Sequence, residues 1–222
     1  MIEARDVVYA YEKGRAVLKG VSAVFEAGRM YAILGPSGCG KTTLLSLLGG
    51  LDSPRSGQIL CDGNDVEKIG LARHRRTNVA FIFQNYNLID YLTPKENVAL
   101  TSALPPLPTL EQVGLTKEEA GRNVLKLSGG QQQRVAIARA LACGAQVILA
   151  DEPTGNLDED TAAQITAVLQ DCAHRLNKCV IIVTHSTELA RQADVVVRLS
   201  KGKTQTVERS GDSRHFAPSS RR

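Results

Sequence analysis

The chain has 222 residues, of which 43% are hydrophobic and 23% charged, and its formal net charge is +4. This length and composition predict one compact globular domain with a sizeable core. The apolar runs are far shorter than the roughly 20 residues that span a bilayer, and no basic-then-apolar leader is visible, so we expect neither a membrane helix nor a secretory signal. The mild charge is unlike the basic surface of a dedicated nucleic-acid binder.

Strand-like and helix-like segments alternate along the chain, which predicts an α/β fold with a mainly parallel sheet. The first half contains strands over 2–9, 21–25 and 30–34, with a turn at Lys13-Gly14, a helix over 41–48, and strands over 57–61 and 78–83. The second half contains a helix over 131–141, a strand over 146–150, a helix over 158–175, and strands over 180–184 and 194–199.

The stretch 93–126 differs from its surroundings. It contains the Pro-rich Leu104-Pro-Pro-Leu-Pro108 and a polar segment, 116–124, with helical character. We expect a mostly helical subdomain, about 89–139, inserted into a domain that spans 1–209. From Ser210 the composition changes to Gly, Ser, Arg and Pro, which predicts a disordered basic tail over 210–222. A tail that binds a membrane surface or a partner is the alternative.

The five cysteines are odd in number and form no C-x-x-C pair. We expect reduced intracellular thiols, because the spacing supports neither a zinc site nor a disulfide framework.

The segment Gly35-Pro-Ser-Gly-Cys-Gly-Lys-Thr-Thr43 matches the phosphate-loop pattern G-x-x-x-x-G-K-[ST] between a predicted strand and a predicted helix. The glycines allow backbone N–H groups to wrap phosphates, and the helix N-terminus adds partial positive charge. Lys41 is expected to reach the β- and γ-phosphates, and Thr42 to place its hydroxyl on Mg²⁺. The candidate nucleotide contacts are Gly35, Pro36, Ser37, Gly38, Cys39, Gly40, Lys41, Thr42 and Thr43. A glycine-rich turn without a ligand is the alternative.

Two carboxylates follow the apolar run 147–150, which reads as a central strand covered on both faces. Ligands of open α/β sheets bind at the carboxyl ends of the strands. Asp151 is therefore suited to hold Mg²⁺, and Glu152 to polarise an attacking water. Helix capping or simple solvation of the pair is the alternative.

A second helix start carries Ser128-Gly129-Gly130. The serine could simply cap the helix. A hydroxyl, exposed amides and a helix N-terminus also form an anion site, so the chain has two such starts for one expected nucleotide.

Leu127-Ser-Gly-Gly-Gln131 and the helix after it resemble the signature of the ATP-binding cassette (ABC) ATPases, and the likeness extends over about 2–207. The resemblance implies a P-loop core with an N-terminal antiparallel β subdomain and an inserted helical subdomain. It also implies a head-to-tail homodimer, in which Ser128, Gly129, Gly130 and Gln131 of one chain close on the ATP held by the other. ATP and Mg²⁺ are the implied cofactors.

The resemblance assigns roles to residues outside the phosphate loop. Gln84, after a strand, resembles the glutamine that contacts Mg²⁺ and senses the membrane partner. His185 resembles the histidine that contacts the γ-phosphate, and Asp158 the aspartate that couples the two sites. Tyr11 resembles the aromatic residue that stacks on adenine, with Tyr9 as the competing choice.

The segments 81–88 and 152–158 are similar to those of macrolide and peptide exporters, lipoprotein-release ATPases and the cell-division ATPase. This similarity implies a Mg-dependent ATPase subunit that powers a separate integral membrane permease from the cytoplasmic face of the membrane, without nucleic acid. An ATPase that drives a non-transport complex, for wall hydrolysis or peptide sensing, is the alternative. The segment between 98 and 127 is shorter than in that group, which leaves the docking geometry open.

Overall fold

We describe a computed structural model of the chain for residues 1–11, 16–102 and 104–208, without the side chains of 206–208. The predicted turn at Lys13-Gly14 and the predicted tail over 210–222 lie outside the described residues. The helical insertion over 89–139 and the domain limits 1–209 remain predictions. Among the described residues no helix has both the length and the apolar composition needed to cross a bilayer.

The described part of the chain contains ten strands, which form two sheets. The strands are β1 (Ile2–Tyr9), β2 (Leu18–Phe25), β3 (Arg29–Leu34), β4 (Ser56–Cys61), β5 (Asn64–Asp65), β6 (Val79–Ile82), β7 (Val147–Asp151), β8 (Cys179–Val183), β9 (Val195–Ser200) and β10 (Lys203–Glu208). An antiparallel sheet has the order β2-β1-β4-β5, and a six-stranded sheet the order β10-β9-β3-β8-β7-β6. All strand pairs of the larger sheet are parallel except β10 with β9. The predicted mixed α/β fold is confirmed.

The helices are α1 (Lys41–Leu48), α2 (Val66–Ile69), α3 (Leu71–Thr77), α4 (Pro94–Ala99), α5 (Pro106–Gln112), α6 (Gly129–Ala142), α7 (Glu159–His174) and α8 (Thr187–Gln192). Helix α1 has the predicted bounds. The Pro-rich stretch begins α5, because proline fits the first turn of a helix, where its missing N–H costs nothing.

The prediction of a helical segment over 116–124 is wrong. The structure has two separate 3₁₀ turns there, Glu119–Gly121 and Val124–Lys126. Side chains bond the backbone locally: the Thr116 N–H donates to Oε2 of Glu119 at 2.7 Å, and the Leu125 N–H to Oδ1 of Asn123 at 2.9 Å. Such bonds compete with helix propagation, and Arg122 between the two turns is extended.

The larger sheet separates two apolar clusters, and the alternation of side chains along β3 contributes to both. Met30 and Ala32 face the cluster that includes α6 and α7, whereas Tyr31 and Ile33 face the cluster that includes α1 and the smaller sheet. Burial on both faces explains why the central strands carry apolar runs without polar alternation. The same arrangement brings the carboxyl ends of β3, β7 and β8 to one edge, beside the start of α1.

Candidate nucleotide site

The loop between β3 and α1 has a conformation that requires glycine at two positions. Gly40 precedes α1 with φ 103°, and a Cβ there would lie 2.8 Å from the side chain of Val17. A Cβ on Gly35 would lie 2.2 Å from the carbonyl oxygen of Leu199 in β9. At both points the loop backbone packs so closely against its neighbours that no side chain fits. Helix α1 begins directly after this loop, and the N-terminus of a helix favours a bound anion.

Lys41 brings a positive charge into this loop. The residue is buried, and its ammonium donates to the carbonyl oxygens of Gly35 at 2.9 Å and Pro36 at 3.2 Å. Hydrogen bonds between two ionic groups are stronger than those to a neutral carbonyl. A phosphate in the loop would therefore compete well for this ammonium.

The two residues predicted to hold Mg²⁺ from opposite elements lie together. The hydroxyl of Thr42 donates to Oδ1 of Asp151, the last residue of β7, at 3.4 Å. Burial raises the pKa of Asp151, although the hydrogen bond from Thr42 and the charge of Lys41 oppose that shift. A hydroxyl and a carboxylate fit Mg²⁺, which takes few protein ligands and completes its shell with water and phosphate oxygens.

Glu152 adopts a left-handed backbone, with φ 47°, which is uncommon for a residue other than glycine. Its Oε2 accepts a hydrogen bond from the backbone N–H of His185 at 3.2 Å. Its Oε1 lies 3.3 Å from Nε2 of His185, yet this buried oxygen has no hydrogen-bond partner in the described part of the chain. A buried carboxylate oxygen with spare acceptor capacity is suited to hold a water molecule.

Gln84 is held by a residue that the sequence analysis did not select. Its Nε2 donates to Oδ1 of Asn156 at 3.3 Å, and Nδ2 of Asn156 donates back to the carbonyl oxygen of Gln84 at 3.2 Å. Asn156 lies in the segment 152–158, in which only Glu152 and Asp158 have roles predicted from the sequence. Its contact with Gln84 spans 72 positions of the sequence, so the only local sign of a role for Asn156 is its place two residues before Asp158.

A cleft of about 410 Å³ brings most of the predicted residues together. They line it with two valines that were not predicted: Tyr11, Val17, Ser37, Gly38, Gly40, Lys41, Thr42, Thr43, Gln84, Asp151, Glu152, Val183 and His185. Gly35, Pro36 and Cys39 belong to the loop but do not line the cleft. Tyr11 is 67% exposed, whereas the competing Tyr9 is only 7% exposed.

The predicted signature residues do not line this cleft. The side chain of Ser128 accepts from the Gln131 N–H at 3.3 Å, and Oε1 of Gln131 accepts from the Ser128 N–H at 2.8 Å, which forms a capping box at the start of α6. Gly129 and Gly130 follow in the first turn. Asp158 is the N-cap of α7, where the Thr161 N–H donates to its carboxylate at 2.9 Å and lowers its pKa.

Comparison with known proteins agrees with this geometry. A family model described as "ABC transporter" matches residues 18–155. The chain is 45% identical over 213 residues to the uncharacterized ABC transporter ATP-binding protein YclH of Bacillus subtilis, covering 91% of this chain and 94% of YclH. It is 41% identical over 218 residues to the macrolide export ATP-binding/permease protein MacB of Escherichia coli K12, covering 91% of this chain but 34% of MacB.

The solved structures that resemble this chain are also ABC transporter cassettes. The dimeric ABC transporter cassette MJ0796 matches with a TM-score of 0.83 and 35% identity, over 96% of this chain and all of that one (100%). The same cassette in a post-hydrolysis dimer, bound to ADP and Pi, matches with a TM-score of 0.82 at 35% identity, over 96% of this chain and 100% of that chain.

Proposed function

Because this chain belongs to the ABC transporter family, as an ATP-binding and ATP-hydrolysing cassette, we propose that it powers a separate integral membrane permease from the cytoplasmic face of the membrane. We prefer an exporter, or a complex in which the cassette is mechanically coupled to its permease, because the macrolide export protein MacB joins a similar cassette to a permease in one protein. The observation that carries the proposal is the cleft in which the phosphate loop, Gln84, Asp151, Glu152 and His185 meet.

Within this cleft the residues have separate proposed roles. Lys41 and the loop amides would hold the phosphates, and the exposed ring of Tyr11 would stack on adenine. Thr42, Asp151 and Gln84 would hold Mg²⁺, which neutralises charge on the phosphates when bound. Glu152 would orient and polarise the attacking water through its unpartnered Oε1, and His185, 3.3 Å from that oxygen, would contact the γ-phosphate.

The start of α6 lies outside the cleft, so a head-to-tail homodimer is the arrangement that would use it. In that arrangement Ser128, Gly129, Gly130 and Gln131 of one subunit contact the ATP of the other, and Asp158 lies near the dimer contact. A dimeric relative of similar structure supports this assembly. ATP would then close the dimer and hydrolysis would reopen it. The dimer would thus have two states, of which the γ-phosphate favours the closed one.

A groove of about 470 Å³ is the proposed docking site for a short helix of the permease. It lies between α3, the end of α4 and α6, and its lining mixes apolar residues with Arg75, Arg76 and Arg139. The three arginines and the apolar side chains of this lining favour a segment that carries acidic and apolar side chains.

Arg139 connects this groove with the segment after Gln84. It donates to the carbonyl oxygen of Tyr86 at 2.9 Å and to that of Asn87 at 2.5 Å. Both residues have positive φ, of 60° and 49°. A partner seated in the groove would therefore contact the residue that fixes the path of the chain leading to Gln84 and the cleft.

The test is to purify tagged Glu152→Gln protein from membranes of its native host, solubilised gently with Mg·ATP, and to identify the proteins that co-purify. A permease with a large extracytoplasmic domain is the expected partner. A wall hydrolase regulated through a permease-like protein would favour the non-transport alternative, and ribosomal or chromosomal proteins without a permease would refute the proposal.

A pair of arginine variants tests the groove. Arg76→Glu reverses a charge that lines the groove and should abolish co-purification, whereas Arg73→Glu, on the same helix but outside the lining, should leave it intact. Equal recovery of the permease by both variants would exclude the groove as the docking site.

A further inference from the structure

Two tyrosines at the end of β1 contact each other, although only one of them lines the cleft. The rings of Tyr9 and Tyr11 meet edge to face, with centroids 5.1 Å apart and planes at 87°. This is a favourable geometry for aromatic side chains, in which the positive edge of one ring meets the negative face of the other. The buried ring of Tyr9 therefore supports the exposed ring of Tyr11.

Tyr9 is itself fixed at its far end. Its hydroxyl donates to the carboxylate of Asp52, in the segment that follows α1. Asp52 also accepts a hydrogen bond from the Ser53 N–H at 2.8 Å. The hydrogen bond to Asp52 raises the pKa of Tyr9 to about 12, and it lowers the pKa of Asp52. At neutral pH the pair is therefore a neutral donor on a charged acceptor, which is a strong form of hydrogen bond.

Other contacts restrain Tyr11 and the two residues that precede it. The hydroxyl of Tyr11 bonds the hydroxyl of Thr43, in the first turn of α1, at 2.8 Å. Nε of Arg55 donates to the carbonyl oxygen of Ala10 at 2.8 Å, between the two tyrosines. The Val17 N–H donates to the carbonyl oxygen of Tyr9, also at 2.8 Å.

We propose that Tyr9, anchored by Asp52, is a positioning residue that holds the ring of Tyr11 ready to stack on the purine base of the nucleotide. This inference rests on the proposed stacking role of Tyr11. An exposed aromatic side chain loses rotamer freedom when it binds a ligand, and a ring that is already held loses less. Tyr9 thus acts on affinity for the base, without touching the nucleotide or the phosphate loop.

The experiment compares two ligands on the purified full chain, Mg·ATP and Mg·tripolyphosphate, of which only ATP has a base. Tyr9→Leu removes the supporting ring, and we expect it to raise the Kd for ATP roughly threefold to tenfold, the cost of ordering one side chain. The Kd for tripolyphosphate should stay unchanged. Asp52→Asn weakens the anchor at an exposed position, without altering the core, and should raise the Kd for ATP by a smaller factor.

Tyr31→Phe is the matched control. Tyr31 is also buried and meets Phe25 edge to face with centroids 5.1 Å apart, and its hydroxyl accepts a hydrogen bond from the Glu26 N–H, away from the cleft. It should change neither Kd. In a Tyr11→Ala background, the Tyr9 and Asp52 substitutions should have no further effect on ATP binding, because no ring remains to be positioned.

Three results would overturn the proposal. They are an equal loss of ATP and tripolyphosphate affinity in both the Tyr9 and the Asp52 variants, an ATP affinity that neither variant changes, and an effect that persists in the Tyr11→Ala background. Failure of the phosphate-loop assignment would look different: Lys41→Ala would then retain both ligands, whatever the tyrosine variants do.

Discussion

The starts of α1 and α6 are both helix N-termini with glycines and hydroxyls, but they differ in their surroundings. At α1 the loop is joined by the ammonium of Lys41, the carboxylates of Asp151 and Glu152, and the imidazole of His185. At α6 the side chains of Ser128 and Gln131 bond back onto the helix itself. The first site therefore combines ionisable side chains of both signs, whereas the second has a serine hydroxyl, amides, a helix dipole and the carboxylate of Glu119, which accepts from Nε2 of Gln131 at 2.6 Å. Such a site can contribute contacts to a nucleotide that is bound at another site. We therefore expect substitutions at the two helix starts to differ in their effects on ATP binding and turnover.

The largest effect is expected for Glu152→Gln. Loss of the carboxylate that we propose orients water should lower ATP turnover by roughly a hundredfold to ten-thousandfold, the usual contribution of a general base. ATP binding should persist, and a dimer should accumulate in size-exclusion chromatography with Mg·ATP. Glu159→Gln, an exposed carboxylate in the first turn of α7, is the control. Undiminished turnover would remove Glu152 from the catalytic step.

Lys41→Ala should weaken ATP binding to the monomer by roughly tenfold to a hundredfold, because a charge-assisted hydrogen bond to phosphate is lost. Fluorescent nucleotide titration measures this loss directly. Lys68→Ala, at the end of α2 and outside the cleft, should bind like the unmodified protein. Retained affinity in Lys41→Ala would contradict the assignment of the loop.

Ser128→Asp sharpens the contrast between the two helix starts. Aspartate is as good an N-cap as serine, so α6 should form, but in the proposed dimer a negative charge would then face the phosphates held by the other subunit. Turnover should fall roughly tenfold or more, while ATP binding to the monomer stays unchanged. Ser128→Asn, which caps equally well without charge, removes the hydroxyl contact but adds no repulsion, and should lower turnover less than Ser128→Asp does.

Equal turnover in the two Ser128 variants would argue against a shared site. Position 128 is preferable to position 130 for this test. A Cβ on Gly130 would lie 2.4 Å from Cγ2 of Thr161, so substitution there would also disturb the packing of α6.

The smallest effect concerns stability. Burial raises the pKa of Asp151, so its charged form is disfavoured in the folded protein, and stability falls as the pH rises through that pKa. Asp151→Asn should therefore raise the Tm of the nucleotide-free protein at neutral pH, because the substitution removes a charge that burial disfavours.

This gain should vanish in acid, where Asp151 is protonated, and Mg-dependent turnover should fall. Calorimetry across the pH range measures the first effect and an ATPase assay the second. An unchanged or lower Tm at neutral pH would show that the pairing of Asp151 with Thr42 outweighs its burial.

Sequence patterns within a few neighbouring residues correctly predicted those strands and helices that such patterns determine. Strand 2–9 and helix 41–48 have their expected limits, because alternation, glycine stops and proline positions act within a few residues. The prediction of a helical segment over 116–124 is wrong, because side chains of Thr116, Glu119 and Asn123 bond the nearby backbone instead. Strand β10 was not predicted, since its polar sequence shows no apolar run and it forms by pairing with β9.

The order and type of the motifs determined, from sequence alone, that this chain is an α/β ATP-binding cassette with a phosphate loop and a signature helix. Only the tertiary structure decided which of two tyrosines lines the cleft, that Asn156 holds Gln84, and that Tyr9 reaches Asp52 across 43 positions. The physical reason is the distance along the sequence over which each interaction acts. Glycines, caps and apolar periods act through neighbouring residues, whereas these contacts depend on how separate strands and loops meet after folding.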